Sequence, residues 1–184
     1  GVEYEAHSSP SVFVKFPLDN TQDFPQESYL VIWTTTPWTL VANVAVAVHP
    51  DFVYSYLKTA KGNLIFANLR MQALPSLGIE KYEVISEFKG KELEGLSYGH
   101  PFGLRQGKVV LANYVSAEDG SGLVHIAPGH GADDFLTGLK YKLDTVMPVD
   151  AKGNFDSSAG EFKGMNVFDA NKAILDKLNA LGLL

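Results

Sequence analysis

Tyr29-Leu30-Val31-Ile32-Trp33-Thr34-Thr35-Thr36-Pro37 runs a chain of strand-forming residues into a proline. Residues 29–34 are apolar and rich in β-branched and aromatic types, which suit a buried pleated surface. Pro37 has no N–H to give a ladder and pushes Thr36 towards extended geometry. The stretch reads as a buried strand that ends in a threonine-rich turn.

Strand signals continue on both sides. Val12, Val14 and Phe16 alternate onto one face, and the polar stretch from Leu18 to Ser28 reads as a loop. Val44, Val46 and Val48 alternate with Ala45 and Ala47, and a turn at His49-Pro50-Asp51 follows. Phe52–Lys58 and Asn63–Ala67 read as a hairpin around Lys61-Gly62-Asn63. Lys81–Phe88, Lys108–Ala112 and Leu123–Ile126 are further strands. Helices are expected from about Asp133 to Tyr141 and near the end of the chain. There Asp169 reads as N-cap, Ile174, Leu178 and Leu181 share a face, and Gly182 supplies the stop. Many short strands with few helices predict an α+β fold with a barrel-like core decorated by helices. No break in composition divides residues 1–184, so one domain is expected.

The chain has no cysteine, which excludes disulfides, thiolate metal sites and cysteine nucleophiles. Its formal net charge is −6. A free-standing nucleic-acid binder usually carries a basic footprint, because phosphate contacts supply most of its affinity. If this chain handles RNA, another part must do most of the holding. There is no apolar run of membrane-spanning length, and we expect a soluble, cytoplasmic monomer with no membrane partner.

Two segments carry the chemistry. In Trp33-Thr34-Thr35-Thr36-Pro37-Trp38-Thr39-Leu40-Val41-Ala42-Asn43, four threonines and an asparagine crowd one corner. Neutral hydroxyls that both donate and accept suit gripping sugar hydroxyls or placing a water; equally, they cap backbone groups at strand ends. Trp38 fits a base-stacking role or plain packing beside Pro37. In Gly120-Ser121-Gly122-Leu123-Val124-His125-Ile126-Ala127-Pro128-Gly129-His130-Gly131-Ala132-Asp133-Asp134, glycines bracket two histidines before paired acids. His125 fits a base, a metal ligand, a pocket wall or a packed ring. The acids fit an N-cap, a helix-dipole partner or a seat for a ligand ammonium. His49, inside its turn, reads as structural. The chain lacks a Gly-x-Ser-x-Gly elbow, a phosphate loop and a His-Glu-x-x-His helix. His125, His130, Asp133 and Asp134 match no metal spacing, so neither metal nor cofactor is expected.

Together the two segments resemble the editing (connective-peptide insertion) domain of isoleucyl-tRNA synthetase, of the class I aminoacyl-tRNA synthetase family. The run Trp-Thr-Thr-Thr-Pro-Trp-Thr-Leu-x-Ala-Asn followed by Val-Ala-Val-His-Pro is similar to the family's threonine-rich peptide. The run from Gly120 to Asp134 is similar to its second editing motif. The motifs stand about 80 residues apart in the expected order. The valyl and leucyl relatives usually carry Arg at the position of Thr36 and an acid at that of Trp38. Val2-Glu3-Tyr4-Glu5 and the final helix are also family-like. Val41 departs from a common proline and Ser121 from a common threonine. The signatures of the synthetic site, His-Ile-Gly-His and Lys-Met-Ser-Lys-Ser, are absent from the sequence.

The resemblance implies the editing-domain fold of the valyl, isoleucyl and leucyl enzymes, as a single domain within a larger synthetase. It implies hydrolysis of valyl-tRNA(Ile), and of valyl-adenylate in an overlapping site, with the tRNA held mainly by the rest of the synthetase. Asp134 would hold the substrate α-ammonium. His125 would line the amino-acid pocket and help exclude the larger side chain. Thr34, Thr35, Thr36, Thr39 and Asn43 would surround the terminal adenosine and the water, with Thr36, His125 and Asp134 closest to the chemistry and Trp38 as wall. The competing expectations are a non-catalytic module that binds the aminoacylated tRNA end, and a metal hydrolase.

Overall fold

A computed structural model describes residues 11–25 and 27–184. The family-like opening Val2–Glu5 lies outside the described residues.

Among the described residues, nine strands form two open mixed sheets rather than a closed barrel. The first sheet holds β1 (Val12–Pro17), β2 (Ser28–Thr34), β5 (Gly62–Ala67), β4 (Val53–Thr59) and β6 (Glu83–Lys89), in that spatial order. The second holds β7 (Ser97–Gly99), β8 (Gln106–Leu111), β3 (Ala45–Val48) and β9 (Leu123–Ile126). Parallel pairings of β2 with β5 and of β3 with β8 are what mix each sheet. No sequence-local turn signals such pairs, and they need crossover connections. That is why alternation alone suggested a barrel.

The strand faces follow the sequence pattern. Val14 and Phe16 of β1 and Leu30 and Ile32 of β2 enter the main core with Val46, Val48 and Leu123 of the second sheet. Burying each such side chain contributes roughly 1.5–3 kcal/mol. β2 is buried on both faces: Val31 joins Leu57, Leu64, Phe66, Leu74 and Ile79 under the 3-10 segment Asn68–Leu77. β3 is likewise two-sided, because Ala45 and Ala47 pack with Val110 and Ile126. Small residues on that face let the second sheet meet its cover closely. The hairpin between β4 and β5 turns at Ala60-Lys61, just ahead of the expected centre.

Among the described residues, three α-helices complete the fold: α1 (Gly90–Leu93), α2 (Ala132–Tyr141) and α3 (Val167–Ala180). The expected cap of α3 is corrected. Asn166 caps it, its side chain accepting from the Phe168 N–H, and Asp169 sits in the first turn. Val167, Ala170, Ile174 and Leu178 form the buried face, whereas Leu181 is 46% exposed because the helix has ended and Gly182 turns the chain at φ +72°. Among the described residues, no helix is long and apolar enough to cross a membrane.

β2 packs against β9 where the sheets meet. Ser121 stitches that junction: its hydroxyl donates to Val31 O, and its carbonyl accepts from the Ala67 N–H at 3.0 Å. Gly122 has φ +83°, and a Cβ there would lie 2.3 Å from Ala67 Cβ. Only glycine fits that approach. The end of β2 and the start of β9, 86 residues apart between Thr39 and His125, thus become neighbours.

Candidate active site

The strand β2 ends in a 3-10 turn, Pro37–Ala42, rather than an irregular loop. Proline suits its first position, where no N–H is needed. Thr34 Oγ1 accepts from the Thr36 N–H at 3.0 Å, and Thr39 Oγ1 donates to Thr36 O at 2.8 Å. So two of the four threonines shape the corner itself. Distant side chains hold its remaining backbone. Nε2 of His100 donates to Leu40 O at 2.8 Å. Nη1 of Arg105 donates to both Val41 O and Asn43 O at 2.8 Å, and the Trp38 N–H donates to Asn171 Oδ1 at 2.9 Å. His100, Arg105 and Asn171 carry no motif, and only tertiary contact reveals them.

The corner faces the second segment across one cleft of about 400 Å³. Thr34, Thr35, Thr36 and Thr39 line one side; Gly120–His125, Ala127, His130, Asp133 and Asp134 line the other. Trp33, Tyr114 and Asp119 complete the wall. Thr35 and Thr36 are exposed at the mouth, while Thr34, Thr39 and His125 are buried. Trp38 and Asn43 do not line the cleft. Trp38 packs edge-on against His130, with ring centroids 5.1 Å apart at 81°, and against Phe155. Asn43 lies behind His125.

The hydrogen bonds fix where each proton sits. The Asn43 amide donates through Nδ2 to Ala45 O at 2.9 Å and to His125 Nδ1 at 3.1 Å, and its Oδ1 accepts from the Tyr98 hydroxyl. His125 Nδ1 is therefore an acceptor, and the ring proton is on Nε2. That Nε2–H donates to Thr39 Oγ1 at 2.9 Å. Thr39 has given its own proton to Thr36 O, so Thr36 Oγ1, 3.3 Å away, must be the donor to Thr39. Thr36 is left with lone pairs for the cleft. Burial, followed by the charge His130 would bring, pushes the His125 pKa down to about 4. The ring is neutral and both nitrogens are engaged. His125 is a wall and a relay of orientation, with no lone pair to act as base or to bind a metal. Among the described residues, no group of three histidine, aspartate or glutamate side chains converges as a metal site needs.

Asp134 sits in the first turn of α2, but Gly131 is the N-cap. Its Oδ2 instead accepts from the Ala127 N–H at 2.9 Å and ties β9 to α2. Among the described residues, Oδ1 has no protein partner. Burial raises the Asp134 pKa; the Ala127 bond opposes this and the charge of Asp133 adds to it. A half-buried carboxylate with one free oxygen suits a cation, whose arrival offsets the desolvation cost. Tyr114, 40% exposed, is pinned at its hydroxyl by Thr137 Oγ1, 2.9 Å away. His49 is structural: Nδ1 accepts from the Asp51 N–H and the ring stacks on Phe52.

The chain is similar to isoleucine–tRNA ligase of Carboxydothermus hydrogenoformans, at 48% identity over 182 residues, which is 98% of this chain and 20% of that protein. It thus spans about a fifth of the length of the curated relatives it matches. Its fold is similar to that of GlLeuRS-CP1, with a TM-score of 0.75 and 17% identity over 95% of this chain and 98% of that one. It is also similar to the P. knowlesi cytosolic leucyl-tRNA synthetase editing domain, with a TM-score of 0.71 and 11% identity over 95% of each chain. No protein-family model matches the sequence. Likeness over nearly the whole chain to one segment of isoleucine–tRNA ligases means that this chain belongs to that family, and it has the fold of the leucyl-tRNA synthetase editing domains.

Proposed function

We propose that this domain proofreads isoleucine tRNA by hydrolysing the ester of wrongly attached valine, and valyl-adenylate in an overlapping site. It acts as one domain of a cytoplasmic synthetase whose other parts hold most of the tRNA, which agrees with its net charge of −6. A pocket separates side chains that differ by one methylene only weakly, and isoleucyl-tRNA synthetase is itself the standard worked example of that limit. A second, hydrolytic sieve that admits valine and rejects isoleucine overcomes it.

One observation carries the reading: the threonine corner and the run from Gly120 to Asp134 line a single cleft. In it, Asp134 Oδ1 binds the α-ammonium by a charge-assisted hydrogen bond. His125, held rigid by Asn43 and Thr39, walls the side-chain pocket. Thr36 Oγ1, its proton turned to Thr39, accepts from the attacking water and points the water's lone pair at the ester. Thr34 and Thr39 hold the corner in shape, and Thr35 faces the nucleoside at the mouth. An aminoacyl ester is already activated, so positioning the water and stabilising the developing oxyanion suffice without a covalent intermediate.

The deciding experiment places Asp134→Ala in the full synthetase and follows release of valine from valyl-tRNA(Ile). Deacylation is expected to disappear while aminoacylation persists. Undiminished deacylation would defeat the proposal.

A further inference from the structure

Helix α2 inverts the usual pattern of a surface helix, which turns its apolar stripe inward. Its buried residues are Thr137 and Gly138, while Phe135, Leu136 and Leu139 are 49%, 62% and 62% exposed. The helix is held in that orientation. Gly138 lies against Pro128, where a Cβ would stand 3.1 Å from the proline Cβ. Thr137 Oγ1 meets the Tyr114 hydroxyl at 2.9 Å, and Asp134 accepts from the Ala127 N–H. Phe135 with Leu139, and Leu136 with Lys140, stand four residues apart, so each pair is adjacent on the helix surface. Large apolar side chains kept together in water mark a docking surface.

The charges at the two ends of α2 say what docks there. Its first turn carries Asp133 and Asp134, which line the cleft. Its last turn carries Lys140, and Lys142 follows at the C-cap. Lys142 also lines a hollow of about 290 Å³ with Arg105 and Lys108, against one acid, Asp144. Among the described residues, none of these four cations belongs to an ion pair, although the chain carries a net charge of −6. From the cleft outward the surface is thus anionic, then apolar, then cationic. Its complement is a ligand with a cation at the tip, flat apolar rings behind it and anions behind those. An aminoacylated single strand of RNA has that order: ammonium, bases, phosphates. An apolar protein segment would cover the stripe but leave the cations unmatched. We propose that the exposed face of α2 docks the unpaired 3′ end of the tRNA, its bases against Phe135, Leu136 and Leu139 and its phosphates towards Lys140 and Lys142. Bases settle on such platforms with little regard to sequence. Ten helical residues span about 15 Å, room for about four stacked nucleotides. This rests on the hydrolase reading and extends it, because the strand that enters the cleft is guided by the helix that carries Asp134.

The test uses a full synthetase that contains this domain. Photoreactive bases are placed, in turn, at the unpaired positions before the terminal adenosine of a tRNA that carries valine through a non-hydrolysable amide. Cross-links are expected on the peptide that holds Phe135–Leu139, and cross-links only elsewhere overturn the proposal. This readout needs no variant, so it decides the matter if a substituted protein fails to fold. In kinetics, Phe135→Gln with Leu139→Gln is expected to raise KM for valyl-tRNA(Ile) about tenfold, as loss of one stacked base allows. KM for valyl-adenosine, which carries no further nucleotide, should stay within about twofold. Lys140→Gln should weaken the salt dependence of KM for the tRNA by about one counterion. An unchanged KM for valyl-tRNA overturns the proposal, and so does an equal rise for both substrates, which would place the effect in the cleft. Weaker aminoacylation or a less stable synthetase, with KM unmoved, would mean that another protein segment covers the face, and the proposal falls. Cross-links on α2 without release of valine from either substrate leave the docking face standing and defeat the hydrolase reading alone.

Discussion

Asn43 donates from its side-chain Nδ2 to Nδ1 of His125 at 3.1 Å, and this single bond fixes the His125 tautomer and makes Nε2 the donor to Thr39. Tyr98 donates to Asn43, Asn43 to His125, His125 to Thr39, and Thr36 to Thr39. A reversed link would leave Nε2 as an acceptor that draws the Thr39 proton away from Thr36 O.

Asn43→Asp tests that relay. A carboxylate beside Nδ1 draws the ring proton to that nitrogen, so Nε2 becomes an acceptor and takes the Thr39 proton. Thr36 O then loses the Thr39 hydroxyl that braces the corner. We expect deacylation by the synthetase to fall at least tenfold, on the order of 1.4 kcal/mol in barrier. Histidine ¹⁵N spectra should show the proton of His125 moved from Nε2 to Nδ1. An unchanged tautomer would refute the assignment.

Acid should destabilise the domain through its buried histidines. The pKa of His125 is pushed down to about 4, chiefly by burial, and that of His100 to about 3, chiefly by burial and then by the charge of Arg105. Both folded values lie below the ordinary 6.5 of the unfolded chain. The unfolded state therefore binds protons that the fold refuses. This stabilisation is fully present above pH 6.5 and is lost as pH falls towards 4 for His125 and 3 for His100. The slope approaches about 1.4 kcal/mol per pH unit for each histidine. Asp134, whose pKa burial raises, works weakly in the opposite sense. Calorimetric Tm values that stay flat between about pH 6.5 and 4.5 would contradict this account.

Asp134→Asn separates charge from architecture. An amide oxygen can still accept from the Ala127 N–H, so the link between β9 and α2 persists. The charge for the ammonium is gone. KM for valyl-tRNA should rise roughly 10–100-fold, with stability changed by no more than about 1 kcal/mol. In the wild type, kcat/KM should fall in acid with a midpoint above the usual carboxylate value, because burial raises that pKa. The asparagine variant should lose this limb of the profile.

Gly122→Ala should damage the junction of the two sheets. The new Cβ would stand 2.3 Å from Ala67 Cβ on a backbone at φ +83°, and neither strand can yield cheaply. We expect a loss of about 2–4 kcal/mol, from overpacking and the left-handed backbone together. Denaturant unfolding measures it directly. A loss under about 0.5 kcal/mol would show the junction to be looser than described.

Local signals in the sequence were sufficient for most of the strands and for the two motifs, though not for the short β7. Val14, Phe16, Leu30 and Ile32 announce their faces by alternation, and Pro37 ends β2 wherever the strand lies in space. Leu123–Ile126 and the helix after Gly131 were readable because hydrophobic period and glycine placement are properties of neighbours along the chain. Apart from the β4–β5 hairpin, which strand lies beside which was settled by tertiary packing. The parallel pairs β2–β5 and β3–β8 turn an expected barrel into two open sheets, since such pairings join residues that share no local pattern. The state of the site was decided at the same level. Neutrality at His125, its tautomer and the bracing by Tyr98, His100 and Arg105 all arise from burial and from partners tens of residues away. Sequence determined which chemical groups were available; dielectric and hydrogen-bond geometry, which exist only once the chain is packed, determined what those groups can do.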